Sequence, residues 1–573
     1  MTIEIKAVFK KLTKYSIFFL FYPTLLHGIV LHQTIEQTGS FPKIIFIFPF
    51  LIYAVAVFFT IKKLRFIYLL LAYFIVFLLA FFESAYLFIY QEGISSSTAY
   101  VLLETNIFEA GDYLQQYFNQ KIVFLLLVYL VPSVIILIGV FKTVKRYSFS
   151  ELIMDFTNDF KFLPFQRLIR YPKLQNPFIQ KTIFLSFTAI LGLVYVKTNS
   201  YKKNAVYQLS EGYLNFTQDL RNYEELFMHV NESKFLKSVE PKKDKTTETL
   251  IIVIGEATNR SHMSLYGYYR NTTPYLTMLK DELIAFSDVI SPHTQTALSL
   301  EKVMTFGSTE LPENKKLGSI VQLVKEAGYK TFWISNQPPI GVHETLVTKI
   351  ARASDYLYFT NLGSDYDRAI HDEQLLPSIH KSIEDEAPKK VIFVHLMGCH
   401  LAYSNRYPKS YDYFRDKPQT NYKNKKTFDI INQYDNALRY NDFVLNQIIS
   451  DLKNNKSTNK RVLFLADHGE EIHQSMDFLG HTESVGSYPM FEIPFILWSN
   501  QKDEILGYKT IADRKYMADN FIYSVADLLK INFEGMDETK SIFSPKYIPP
   551  KRIVLDKTDY DLKINPLRHQ NFR

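Results

Sequence analysis

Cysteine is almost missing from this chain. Cys399 is the single one among 573 residues, so no intramolecular disulfide can form, even in an oxidising compartment. Any soluble domain must be held by a hydrophobic core of its own, which the long segment after residue 246 can supply. Cys399 itself reads as a small residue filling a tight loop, which leaves nitrogen and oxygen donors for any metal site. A large excess of one charge is missing too. Lysine and arginine number 65 against 58 aspartates and glutamates, a net charge of +7. Spread along the chain, that excess reads as topology signals and solvated faces, and it calls for no nucleic-acid partner. There is no internal repeat and no low-complexity segment.

Long apolar runs, in contrast, are plentiful. They lie at 15–33, 43–61, 66–90, 122–141 and 182–197. A bilayer core of ~30 Å needs about 20 apolar helical residues. A cleaved signal peptide would account for the first run and not for the other four. The expectation is an N-terminal transmembrane domain of five helices over residues 1–200. Ionisable residues in these runs are few, Glu83 being the main one, which argues against a transport path. Lys6, Lys10, Lys11 and Lys14 precede the first run, and Lys62, Lys63 and Arg65 fall in the second connection. The fourth connection carries Lys142, Lys145, Arg146, Lys161, Arg167, Arg170 and Lys173. These basic segments belong in the cytoplasm, so an odd number of spans puts everything after residue 200 across the membrane.

At this length one core is not enough, and the composition changes beyond residue 200. Residues 207–229 mix aromatic, aliphatic and acidic residues at helical spacing, which suits an amphipathic helix on the membrane surface. Residues 201–246 thus form a surface helix and linker, and the charged stretch Glu240–Glu248 leads into the first strand. Over 247–573, apolar strands near 249–254, 330–335, 391–396 and 462–466 alternate with helical segments near 274–282, 317–327, 370–383 and 428–453. That alternation predicts an α/β domain with a mainly parallel sheet.

Three of these strands end in chemistry. VLFLADH (462–468) ends in Asp467 and His468, residues 249–254 run into Gly255 and Glu256, and 391–396 lead to a loop carrying His400. Ligands in open α/β sheets bind at the carboxyl ends of strands. Glu256, His400, Asp467 and His468 are the makings of a divalent-metal site, and donors of this kind suit Zn2+, with Mn2+ as the alternative. The segment SPHTQTALS (291–299) follows a short apolar approach. By composition Thr296 reads as a helix N-cap or as loop polarity. Beside a metal, its hydroxyl could instead serve as an activated nucleophile and complete a four-coordinate shell.

IIVIGEATNRSHMSLYGYYRNTTP, TQTALS, VHLMGCHLAYSNRYP, YDNALRYNDFV and LADHGEE together resemble the signatures of the phosphoethanolamine transferases. These are bacterial inner-membrane enzymes with a periplasmic alkaline-phosphatase/sulfatase-like domain, and the resemblance covers nearly the whole chain. It implies that Glu256, Asp467 and His468 bind metal and that Thr296 carries a covalent phosphoethanolamine. His400 and His481 would bind substrate phosphate or a second metal and move protons, with pKa values near neutrality. His473 competes with His481 for that place. LETNIFEAGD (103–112) is similar to the family's outside loop near the donor headgroup, where Glu104, Asn106 and Glu109 could meet an ethanolamine ammonium; a solvated surface helix is the alternative. The lipid A branch brackets its nucleophile with cysteines, whereas His293 and Glu301–Met304 stand here. With EAGYKTFWISNQ (326–337), this looks more like the branch acting on lipopolysaccharide core heptose.

The expected activity is transfer of phosphoethanolamine from phosphatidylethanolamine to lipopolysaccharide, at core heptose or at lipid A, among membrane lipids. Two rivals share the fold. One is a transferase of glycerol phosphate from phosphatidylglycerol. The other is a sulfatase or phosphodiesterase-like hydrolase, although no formylglycine motif is found.

Overall fold

The computed structural model describes residues 20–35, 47–59, 61–90, 94–104, 110–111, 120–144, 177–198, 200–228, 233–337, 346–360, 371–483 and 486–566. The chain divides into two compact units, one built chiefly on residues before 213 and the other chiefly on residues from 213 onward.

The first unit contains the helices α1 (Phe21–Ile35), α2 (Ile47–Phe58), α3 (Lys62–Tyr90), α4 (Gln120–Val144) and α5 (Pro177–Lys197). Each overlaps one apolar run of the sequence. Among the described residues, Lys63–Ile89 and Gln120–Ile138 are long and apolar enough to cross a membrane, and Ile47–Ala56 is a shorter apolar helix. Tyr53, Ala56, Leu69 and Tyr73 bury together with Leu20, while Leu71, Phe74, Phe82 and Phe124 turn outward, each at least 60% exposed. Faces of this kind suit lipid and are a liability in water. Polar groups cluster between the helices. His27 Nδ1 lies 2.7 Å from Ser84 Oγ, which lies 2.8 Å from the Tyr129 hydroxyl, and His27 Nε2 is 3.3 Å from Glu83. A helix, α6 (Ala205–Met228), covers most of the segment 207–229.

The second unit is built on a sheet. Its strands include β1 (Glu248–Gly255), β2 (Leu283–Ala285), β3 (Asp288–Ile290), β4 (Lys330–Ser335), β5 (Tyr356–Phe359), β6 (Lys389–His395), β7 (Asn459–Ala466), β8 (Glu471–Ile472), β9 (Leu479–Gly480) and β10 (Phe495–Ser499), with β8 and β9 forming a small hairpin. Seven strands make the main sheet in the order β2-β10-β7-β1-β6-β4-β5. β7, β1, β6, β4 and β5 run parallel, and β10 runs antiparallel to both β7 and β2. The sheet is therefore mainly parallel, as expected.

Every residue of β1 is buried, because both faces of the sheet are covered. Leu250, Ile252 and Ile254 point into one core with Leu300, Val303 and Met304 of helix α7 (Thr296–Met304). Ile251 and Val253 point into the other, with Tyr434, Leu438 and Leu445 of helix α8 (Lys425–Asn454). Burying each such Ile or Leu stabilises the fold by about 2 kcal/mol. After β1 the chain places β2 at one edge of the sheet, forms β4 and β5 toward the other, returns to β6 beside β1, and then adds β7 on the other side of β1. The strand order reverses around β1, and the crevice at the carboxyl ends of β1, β6 and β7 is where the fold can hold a ligand.

Candidate metal and nucleophile site

The register of β1 and β7 pairs Gly255 with Ala466, which sets Glu256 beside Asp467. A Cβ on Gly255 would meet the Phe464 ring at 2.8 Å, so the close approach needs glycine. The chain then turns through Ala257, whose φ of 51° is left-handed and unfavourable for a residue with a Cβ. Tyr434 of α8 holds that turn: its hydroxyl donates to Ala257 O at 2.8 Å and accepts from Asn259 N–H at 2.8 Å. Ala257 N–H in turn donates to Asp467 Oδ1 at 3.1 Å, and His468 N–H donates to the same oxygen at 2.7 Å. Oδ1 is thereby used for structure. Asp467 Oδ2 is buried with no hydrogen-bond partner.

Thr296 is the first residue of α7, with Gln295 rather than Thr296 at the cap position. Its Oγ1 lies 3.1 Å and 3.3 Å from the two Glu256 carboxylate oxygens and 3.4 Å from His468 Nε2. His468 Nδ1 lies 2.8 Å from Gly469 O, to which it donates, so Nε2 is the ring nitrogen that faces the carboxylates and could meet a cation. Nε2 is 3.3 Å from Glu256 Oε1 and 3.4 Å from Asp467 Oδ2. Donors ~2.0 Å from a tetrahedral centre stand about 3.3 Å apart, so these separations are the edges of a zinc-sized shell. The residues present fit a divalent cation held by Glu256, Asp467, His468 and the Thr296 oxygen.

The charges point the same way. Burial drives the Asp467 carboxyl up, and the neighbouring Glu256 carboxylate reinforces the rise. Burial opposes a charge on His468, but Asp467 and Glu256 outweigh it and hold the imidazole up at about 10. Burial would raise Glu256 as well, yet its hydrogen bond and charge contact with His468 leave it below the ordinary range. Two carboxylates buried side by side, one of them driven to keep its proton, are a place for a cation.

A second group adjoins the first. His468, Glu470 and His481 also lie within reach of a shared ion, and the His468 and His481 rings are 4.1 Å apart. His481 Nδ1 meets Glu470 Oε2 at 2.7 Å, and Glu470 Oε1 accepts from the Tyr403 hydroxyl at 2.6 Å. Burial lifts Glu470 to about 7. Sequence reasoning missed this glutamate as a working residue, although LADHGEE contains it. His473, the rival to His481, instead pairs with Asp477 at 2.9 Å. His400 follows β6, and its Nδ1 is buried without a partner. Burial, helped for His400 by the Arg406 charge and for His481 by His468, pushes both imidazoles down to about 3. Both are neutral bases, rather than groups titrating near neutrality. Gln337, at the end of the EAGYKTFWISNQ segment, donates to Glu256 Oε2 at 3.4 Å and to Leu396 O at 3.2 Å. His293 lies against Glu483 at 2.9 Å, and Glu483 also accepts from Thr294 N–H at 2.8 Å, so this pair braces the approach to Thr296. The side chains of Glu104, Asn106 and Glu109 lie outside the described residues.

A mainly parallel sheet with an acid, histidine and threonine cluster at its carboxyl edge defines an alkaline-phosphatase-like domain. The family model described as Sulfatase matches residues 248–531. Phosphoethanolamine transferase EptC of Escherichia coli strain K12 is 31% identical over 476 residues, 81% of this chain and 80% of the relative. The crystal structure of the C-terminal periplasmic domain of EptC from Escherichia coli, in complex with Zn, matches with a TM-score of 0.53 at 31% identity, covering 57% of this chain and 94% of that one. The integral membrane protein lipooligosaccharide phosphoethanolamine transferase A from Neisseria meningitidis shares the fold over 96% of this chain and 98% of its own, with a TM-score of 0.58 at 16% identity. The chain belongs to the phosphoethanolamine transferase family, with a sulfatase-type domain.

Proposed function

We propose that this protein transfers phosphoethanolamine from phosphatidylethanolamine to lipopolysaccharide, at core heptose in preference to lipid A, through a covalent phospho-Thr296 intermediate. The observation that carries the proposal is Thr296 Oγ1, set 3.1 Å from Glu256 and 3.4 Å from His468 inside a shell of metal donors. Glu256, Asp467, His468 and Thr296 would hold Zn2+, as nitrogen and oxygen donors at tetrahedral spacing favour; Mn2+ is the alternative. The zinc complex of a relative's periplasmic domain supports that choice. When bound, the metal would lower the pKa of the Thr296 hydroxyl and offset charge on the phosphoryl group.

In the first half-reaction Thr296 Oγ forms a bond to the donor phosphorus as the bond from phosphorus to the diacylglycerol oxygen breaks. The hydroxyl proton ends on that departing oxygen, and diacylglycerol leaves. In the second, an acceptor hydroxyl attacks the phosphorus, the bond to Thr296 breaks, and Thr296 regains a proton. His481, its Nδ1–H directed at Glu470, presents Nε2 to take the acceptor's proton. His400 is neutral and hydrogen-bonds the phosphoryl oxygens once they arrive. The start of α7 lies at the nucleophile, so its first amides favour negative charge there.

The same reading places the chain in a bacterial inner membrane, with five spans over residues 1–200, a surface segment over 201–246 and a periplasmic catalytic domain over 247–573. Glu104, Asn106 and Glu109 would meet the donor ammonium. The test is to incubate the solubilised full chain with phosphatidylethanolamine labelled in its ethanolamine and with lipopolysaccharide. Label in the lipopolysaccharide, matched by diacylglycerol, is expected. Transfer only from phosphatidylglycerol would overturn the donor, and release into water alone would make the protein a hydrolase.

A further inference from the structure

A part of the chain far beyond Thr296 grips the segment that carries it. Ile553–Val554 and Thr558–Asp559 pair as a hairpin, and Lys557 N–H closes its turn on Val554 O at 3.3 Å. Leu555 and Asp556 at the tip have φ of 53° and 60°, left-handed values that such turns usually give to asparagine or glycine. A leucine keeps that conformation only where its surroundings fix it. The surroundings here flank the nucleophile. Leu555 N–H donates to Pro292 O at 3.0 Å, ahead of Thr296. Asp556 pairs with Lys302 of α7, beyond Thr296, and lies 3.6 Å from His293 Nε2. Arg552, fully buried just before the hairpin, pairs with Asp288 at the start of β3 and with Asp561. The run from Asp288 to Lys302 is thus held at its start, middle and end by residues 552–556.

We propose that Asp556 is a positioning residue for the nucleophile, its hairpin tip keeping Thr296 Oγ1 against the Glu256 and His468 donors. Asp556 acts through Lys302 and His293, not on the reacting atoms. An ion pair open to water at both ends contributes little. This one is of another kind: the Asp556 side chain is 62% exposed, but those of Lys302 and His293 are only 7% and 5% exposed. Removing the carboxylate would leave a buried ammonium without that partner, beside an imidazole whose charge it opposes. The consequence reaches Thr296 because Lys302 shares its helix, while Pro292 and His293 form its approach. A misplacement on the order of 1 Å at a reacting group costs up to about 100-fold in rate. The inference rests on Thr296 as the nucleophile, proposed above, and adds what holds it in place.

The test separates placement from stability. In the solubilised full chain, phosphoethanolamine transfer, zinc content and amide exchange of the peptide 291–300 are measured together. Asp556→Asn keeps a side chain that tolerates the left-handed backbone and removes its charge. It should lower kcat roughly tenfold, leave KM for phosphatidylethanolamine within about twofold, and retain zinc. Exchange over 291–300 should quicken in the same variant. Asp556→Glu, which restores the carboxylate, should recover most of kcat. Arg461→Lys is the control, since it weakens the pairs with Glu248 and Glu504 at the other end of β7. It should lower the melting temperature and leave kcat unchanged. Wild-type kcat in Asp556→Asn, a fall in kcat that Arg461→Lys shares, or a loss of zinc would overturn the positioning role. Faster exchange in Asp556→Asn, in a protein that forms no adduct on Thr296, would keep the hairpin's grip and reject the nucleophile.

Discussion

Asp467 divides its two oxygens between structure and chemistry. Oδ1 is committed to the amides of Ala257 and His468, and Oδ2 has no partner. Asp467→Asn can keep the first task with its carbonyl and places an NH2 group where the cation belongs. Zinc affinity should fall at least tenfold while the fold persists. Metal content after dialysis checks this, and unchanged zinc would remove Asp467 from the ligand set. Glu470 works through His481, since Tyr403 donates to one of its oxygens and the other meets Nδ1. Glu470→Gln should slow transfer by roughly 10–100-fold with metal at the Glu256 site retained; if zinc is lost together with transfer, Glu470 is a ligand and not a positioning residue. His293 supplies a pH dependence. Burial opposes its charge, but Glu483 and Asp556 hold it at about 9, above the ordinary imidazole value. A pKa raised by folding gives stability that is complete below about pH 6.5 and disappears as pH rises through 9. The linked free energy is on the order of 3 kcal/mol. The melting temperature should therefore drop between pH 7 and 9.5, and His293→Gln should flatten that drop.

The loop after β6 shows how elements, and not single residues, set the metal geometry. Gly398 has φ of 54°, and a Cβ there would lie 2.8 Å from both Glu256 N and Glu256 O. Cys399 N–H donates to Glu256 O at 2.9 Å, so this loop rests on the backbone of a proposed metal ligand. Gly398→Ala should cost about 1–3 kcal/mol of stability and also weaken zinc binding, a pairing that parallel melting and metal titration would reveal. A stability loss with metal affinity intact would show that the loop does not position Glu256. Elements of this kind differed in how well the sequence disclosed them. β1, β4, β6 and β7 were legible because strands buried on both faces read as unbroken apolar runs. β2, β5 and β10 were not, since segments of three to five residues carry too little pattern to separate from loops. Glu256, Asp467 and His468 stood out because polar residues ended apolar strands. Glu470 did not, because an acid beside another acid reads as surface until the β8–β9 hairpin brings His481 back against it.

At the scale of the molecule, the five apolar runs of the sequence overlap five helices, and the α/β unit follows them in the chain. The proposed topology has a direct check, since the single cysteine, Cys399, is fully buried. A cysteine introduced at Lys243 should react with an impermeant maleimide added to intact cells stripped of outer membrane, and one at Lys63 should not. Labelling in the opposite sense would invert the proposed orientation. In the proposed reaction, a headgroup taken from the membrane passes through Thr296. Mass spectrometry of the Thr296 peptide, after incubating the solubilised full chain with phosphatidylethanolamine and no acceptor, tests that passage most directly. A phosphoethanolamine adduct on Thr296, absent from Thr296→Ala and lost when lipopolysaccharide is added, is the expected result. Diacylglycerol release at an undiminished rate from Thr296→Ala, with no adduct on the wild type, would contradict it.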